Sequence, residues 1–188
     1  MSRYVRLLFA ILAVHALIFS STAAARTDVI VDAQGDVAVS DPAYVDIVQA
    51  RVTEQVGRDT LVFHIELAGA VPDEPSGFVA FNPVIDTPGG PTGDFGLVVR
   101  WCSQATVPAC GPGPAHWESA LILAAGAPVL NAFAFDVNGA TVKMYVHPTL
   151  FGNPASFSWR ASSRLFPAST GQPPTDLAPN SGWSDFTR

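Results

Sequence analysis

Apolar side chains recur at every second position along much of this chain, and that period restricts its folding more than any other feature. In IVQARVTEQV, residues 47–56, Val48, Ala50, Val52 and Val56 share one face. Gln49, Arg51, Thr53 and Gln55 share the other, and Glu54 is the exception on the apolar side. LVFHIELAG, residues 61–69, repeats the pattern with Leu61, Phe63, Ile65 and Leu67 inward and His64 and Glu66 outward. Successive side chains of a strand point to opposite faces, so this alternation marks half-buried strands. GRDT, residues 57–60, joins the two as a hairpin. A tip at Arg58 and Asp59 sets Arg51 opposite Glu66 and Val52 opposite Ile65. A second hairpin, NAFAFDV and ATVKMYVH, flanks Asn138-Gly139, a pair favoured in tight turns. That turn sets Phe135 opposite Val142 and Phe133 opposite Met144.

Further strands are expected at GFVAFNPVI, FGLVVRW, WESALILAA and SFSWRAS, with Pro- and Gly-rich connections. No segment has the pattern of a long amphipathic helix; PTLFGNP allows one short helical turn. Short alternating strands at regular spacing predict an all-β, antiparallel β-sandwich, jelly-roll-like, of two packed sheets.

The chain starts differently. Arg3 and Arg6 precede the apolar run LLFAILAVHALIF, and small residues follow, with Ala23 and Ala25 at the −3 and −1 positions. This is the order of a secretory signal peptide, residues 1–25, cleaved to leave one domain, 26–188. A membrane anchor needs roughly 18 or more apolar residues, and His15 interrupts this shorter run. Cleavage removes Arg3 and Arg6 and no acid, so the net charge moves from −6 to −8. An acidic secreted domain lacks the basic surface that nucleic acid or anionic membrane requires. In an oxidising compartment Cys102 and Cys110 are expected to form a disulfide, worth on the order of 2–3 kcal/mol for so short a loop.

Two acidic segments are candidates for a cation. VIDTPGGPTGDFG, residues 84–96, places Asp86 and Asp94 at the two ends of a glycine-rich loop. Counted from Asp86 as an EF-hand, positions 3, 5 and 12 are Pro88, Gly90 and Leu97, so that motif is excluded. The loop reads either as a turn whose Asp86 caps its own N–H groups or as a contributor to a Ca²⁺ site. Residues 28–46 hold Asp28, Asp32, Asp36, Asp41 and Asp46 with no local cation. They read either as a polar segment or as a source of further ligands, Asp32 or Asp36, beside Asp86.

Catalytic signatures are absent from the sequence: no G-x-S-x-G, H-E-x-x-H, P-loop or dinucleotide fingerprint occurs, and no glutamate pair is singled out. No haem is expected, because the hairpin register puts Met144 on the apolar face and His147 has the opposite parity. Trp101, Trp117, Trp159 and Trp183 are candidate ligand-binding platforms, since rings stack on pyranose faces. The competing reading packs them beneath the disulfide loop or in the core.

With these residues in hand, their order resembles a family. Asp32, Gly35 and Asp36 open it as D-x-x-G-D; DIVQARV, DTLVFHIELAGAVP, IDT…TGDFG, VNGATVKMYVHPTLFGNPASFSW and DLAPNSG follow. The series is similar to secreted prokaryotic β-sandwich domains of the DOMON-like and family-9 carbohydrate-binding-module-like group, over about residues 28–183. Pro88 stands where that group often has a second aspartate. The resemblance implies a mostly non-catalytic class in which some members bind sugars, some bind haem and some carry a structural calcium. The expectation is therefore a secreted, non-catalytic binding module for extracellular carbohydrate or a cell-surface component. Its sites would be Trp101, Trp117 and Trp183 for ligand and Asp86, Asp32 and Asp36 for Ca²⁺. The alternative is a structural or protein-interaction domain with no small-molecule site, and after it a glycoside hydrolase. A row of exposed aromatics on a concave face favours the first, and a buried carboxylate pair in a cleft the last.

Overall fold

The computed structural model describes residues 25–38, 40–90, 93–103, 110, 113–166 and 175–188. Apart from Ala25, the expected leader lies outside them. Twelve strands form among the described residues: β1 Thr27–Val31, β2 Ile47–Gln55, β3 Thr60–Leu67, β4 Phe78–Asp86, β5 Phe95–Cys102 and β6 His116–Leu123. They continue as β7 Val129–Leu130, β8 Ala134–Asn138, β9 Thr141–Val146, β10 Ser156–Phe166, β11 Thr175–Ala178 and β12 Ser184–Thr187. The only helical segments described are two 3₁₀ turns, Ala43–Val45 and Pro148–Phe151. The second falls on PTLF, where one short turn is expected.

Two antiparallel sheets pack face to face as a β-sandwich. One runs β1-β2-β3-β9-β8 and the other β11-β10-β4-β5-β6-β7. The outer edge of long β10 is shared: β12 pairs with residues 156–159 and β11 with residues 161–164. Inward residues of both sheets meet in one core. Phe63 of β3 stands edge-on to Trp159 of β10, centroids 5.8 Å apart. Phe157 touches Phe63, Phe151 and Phe186 at 6.3, 5.6 and 5.3 Å. Burying each such side chain is worth about 1.5–3 kcal/mol relative to exposure. A polar tie crosses the same gap: Asp28 Oδ2 accepts from Trp159 Nε1 at 2.7 Å and from Ser184 Oγ at 2.6 Å.

Both hairpins keep their expected faces, but both registers differ from expectation by two residues. Arg51 pairs with His64 and Val52 with Phe63, not with Glu66 and Ile65. The hairpin closes at Gln55–Thr60, so its loop holds four residues rather than two. Arg58 N donates to Gln55 O at 3.1 Å, and Gly57 (φ 86°) and Asp59 (φ 45°) take the left-handed conformations that this wider turn needs. Val48 is also displaced: the register slips between Ile47 and Gln49, which buries Ile47 and leaves Val48 half-buried. Val56 lies in the turn and is exposed.

In the second hairpin Phe135 pairs with Met144 and Val137 with Val142, so the turn centres on Gly139-Ala140. The cause is tertiary. Leu67 N and Val71 N donate to the carbonyls of Ala140 and Gly139, both at 2.9 Å, so the chain leaving β3 clamps that turn. Met144 is fully buried, as its parity requires. Glu54, the acid on the apolar face, is answered by Arg188, whose Nε lies 3.1 Å from Oε1.

Candidate functional site

The two sheets differ in what they turn outward. On the seven-stranded sheet, Phe78 and Ala80 of β4, Val98 of β5 and Ala120 of β6 point away from the sandwich core and are buried nonetheless. Cys110, Ile122 and Leu130 pack against them. Cys110 is joined to Cys102 by a disulfide, with Cα atoms 5.9 Å apart. Over this patch lies a cleft of about 560 Å³, within the range of small-molecule sites. Its walls include Ala80, Val84, Val98 and Ile122, and its polar groups are Asn82, Arg100 and Arg164.

Arg100 and Glu118 face each other across β5 and β6 on this outward side. Arg100 Nε and Nη2 lie 2.7 and 2.5 Å from Glu118 Oε1, and both side chains are buried. His116 Nε2 is 3.5 Å from Glu118 Oε2. Glu118 is thus paired, and no carboxylate lines the cleft among the described residues. Arg164, level with Ala80 on β10, is exposed and has no ion pair among the described residues.

Of the expected ligand-binding tryptophans, Trp101 is only 6 % exposed and packs on Trp117 in the inter-sheet core, centroids 5.7 Å apart. Trp117 also stacks on Phe81 at 6.3 Å. Trp183 is half-buried beside the cleft. Its ring lies 4.5 Å from the Arg160 guanidinium, and it adjoins Gly93, which lines the cleft. No row of exposed aromatics occurs among the described residues; Tyr145, at 37 %, is the exposed large ring.

The loop with Asp86 and Asp94 closes on itself. Asp86 Oδ1 accepts from Gly93 N at 3.0 Å. Asp94 Oδ2 accepts from Thr87 N at 3.1 Å and from the Thr87 hydroxyl. Each end of the loop thus caps the other. A Cβ at Gly90 would overlap the Asp94 carboxylate and push it away from Thr87. Pro91 and Thr92 lie outside the described residues.

Asp32 and Asp36 come together, but with Asp176 of β11 rather than with Asp86. One carboxylate oxygen from each of the three lies within 4.8 Å of the others. Asp86 pairs with Ser158 of β10 and Asp176 with Ser163, five positions further along. At 3.3–3.4 Å per residue that is about 17 Å, and the two side chains have opposite strand parity. Asp46, 4 % exposed, holds Gly35 N at 2.8 Å through Oδ2. Asp176 accepts from Ile47 N at 2.5 Å and from Leu177 N at 2.8 Å. Asn180 Nδ2 donates to Asp32 at 3.2 Å and Asp36 at 2.5 Å. Burial, and then the charge of Asp176, push the Asp32 carboxyl up to about 6. Burial also raises Asp176, against the lowering effect of the Ile47 N–H.

Arg100, Glu118, Arg164, Asp46 and Asp176 were not singled out by sequence reasoning. The first two had a signal: each is a lone charge inside an apolar run, FGLVVRWC and WESALIL. No family model, curated protein or solved structure matches the chain.

Proposed function

We propose that this protein is an extracellular, non-catalytic binding module whose outer cleft, on β4, β5 and β6, takes a small saccharide bearing a carboxylate. The observation that carries this reading is the apolar cleft of about 560 Å³ on a sheet face that an unliganded sandwich would be expected to keep polar. Its aliphatic walls suit the C–H face of a sugar ring. Arg164 supplies a charge with no ion pair among the described residues, and a guanidinium matches a carboxylate in two parallel hydrogen bonds. With Trp101 and Trp117 turned into the core, recognition rests on these polar and aliphatic contacts, with Trp183 and Arg160 beside the cleft. The amino-terminal signal pattern, the disulfide and the resemblance to DOMON-like domains support secretion and a binding role.

A glycan array that contains neutral and uronate-bearing oligosaccharides tests the reading. The secreted protein should bind uronate-bearing members. Arg164→Ala should lose them, and Ile122→Trp, which fills the cleft, should lose all binding. Binding that survives Ile122→Trp would place the site elsewhere. No binding to any saccharide would favour a protein-interaction domain.

A further inference from the structure

We propose that Asp32, Asp36 and Asp176, with Asp46 beside them, form a site for a hard divalent cation, filled by Ca²⁺ outside the cell. This site is independent of the cleft.

The first argument is geometric. Two oxygens bound to one Ca²⁺ at 2.3–2.6 Å can be no more than about 5 Å apart. Asp32, Asp36 and Asp176 each offer an oxygen within 4.8 Å of the other two. The second argument is independent of the clustering. Asp46 is 96 % buried, and its Oδ1 has no hydrogen-bond partner. Its other oxygen is held by Gly35, between Asp32 and Asp36, and its charge acts on both Asp32 and Asp176. The buried Asp32 Oδ2 is unpartnered too. A buried acceptor left unmade bears its full desolvation penalty, and a bound cation removes it.

None of the four acids joins a salt bridge among the described residues. The donors are all oxygen, which selects Ca²⁺ or Mg²⁺ over zinc or copper. Backbone N–H groups of Gly35, Ile47 and Leu177 and the Asn180 amide hold the carboxylates in place before any ion arrives. Gly35 has φ 85°, the left-handed conformation that lets the 32–36 turn bring its two aspartates together. The ligands come from the segment after β1 and from β11, so the ion would clamp the five-stranded sheet to the edge of the seven-stranded one.

Calorimetric titration of CaCl₂ into the chelator-stripped, secreted chain tests this. One ion should bind, with an affinity at or tighter than about 10⁻³ M, the range of extracellular sites. Asp36→Asn, at an exposed position that does not threaten the fold, should weaken binding by at least about tenfold. Asp86→Asn should bind as the parent does. Absence of any heat at millimolar calcium would overturn the proposal. So would loss of binding in Asp86→Asn with Asp36→Asn unaffected.

Discussion

The two outward faces of this sandwich are built from strands of the same kind and end up as different surfaces. On the five-stranded sheet the outward residues include Gln49, Arg51 and Thr53 of β2, His64 and Glu66 of β3 and Lys143 of β9, interspersed with Val29 and Val31 of β1, Val62 of β3 and Tyr145 of β9. They are half-buried or exposed, and they answer one another: Arg51 Nη2 donates to His64 Nδ1 at 2.5 Å. On the seven-stranded sheet many outward residues of β4, β5 and β6 are as buried as the core, with Ala120 at 0 % and Ala80 at 5 %, while Asn82, Val84, His116 and Ile122 are half-buried. Their charges are sunk in an internal pair. A polar face is complete when solvated. An apolar face with a cleft in it calls for a ligand or a cover. The difference is visible in the strands: β2 and β3 alternate, whereas FVAFNPV, FGLVVRWC and WESALIL run apolar on both parities.

Removing one arginine from each face gives the largest contrast. Arg100→Ala takes the guanidinium away from the buried Glu118 carboxylate, and should cost about 3–5 kcal/mol in a urea unfolding series. Arg51→Ala leaves a neutral imidazole at the edge of solvent and should cost about 1 kcal/mol or less. Equal losses would mean that the two faces are not energetically distinct. Replacing Arg100 and Glu118 together by Met and Leu should recover most of the stability, since the pair's value lies in not being broken.

Acid gives a smaller effect, with opposite signs in two places. On the polar face, burial first, then Arg51 and Lys143, lower the His64 pKa below 6.5. The unfolded chain then binds the proton more readily, so His64 withdraws stability as pH falls below 6.5. Asp32 runs the other way. Its folded pKa of about 6 exceeds the unfolded value of 3.8, so in the chelated protein its stability contribution rises as pH falls from above 6 towards 4. Melting curves of chelated His64→Gln and Asp32→Asn against pH should therefore depart from the parent in opposite directions. Departure in the same direction would contradict one of the two assignments.

What could be read in the sequence was parity. The faces of β2, β3, β8 and β9 follow from the period of two, and a register error of two residues leaves every face unchanged. Register itself was not legible. The turn at Gly139-Ala140 is fixed by Leu67 and Val71, about seventy residues earlier, and local propensity at Asn138-Gly139 cannot report that. The acidic site divides in the same way. Asp32 and Asp36 are four positions apart around a glycine, and their proximity is local. Asp176 reaches them only because β11 pairs with β10 at the far end of the chain. The Asp86 loop looked equally acidic, but Asp86 Oδ1 and Asp94 Oδ2 are taken up by its own Gly93 and Thr87 N–H groups, a short-range match that glycine content conceals. The buried Asp94 Oδ1 is left without a hydrogen-bond partner among the described residues.

Amide chemical-shift mapping with an oligogalacturonide tests the central claim most directly, because it reports on both outward faces at once. The account predicts perturbations confined to residues 78–84, 96–100, 118–124 and Arg164, with none at residues 49–55, 62–66 and 141–145. Perturbations on the five-stranded face, or none anywhere at millimolar saccharide, would contradict it.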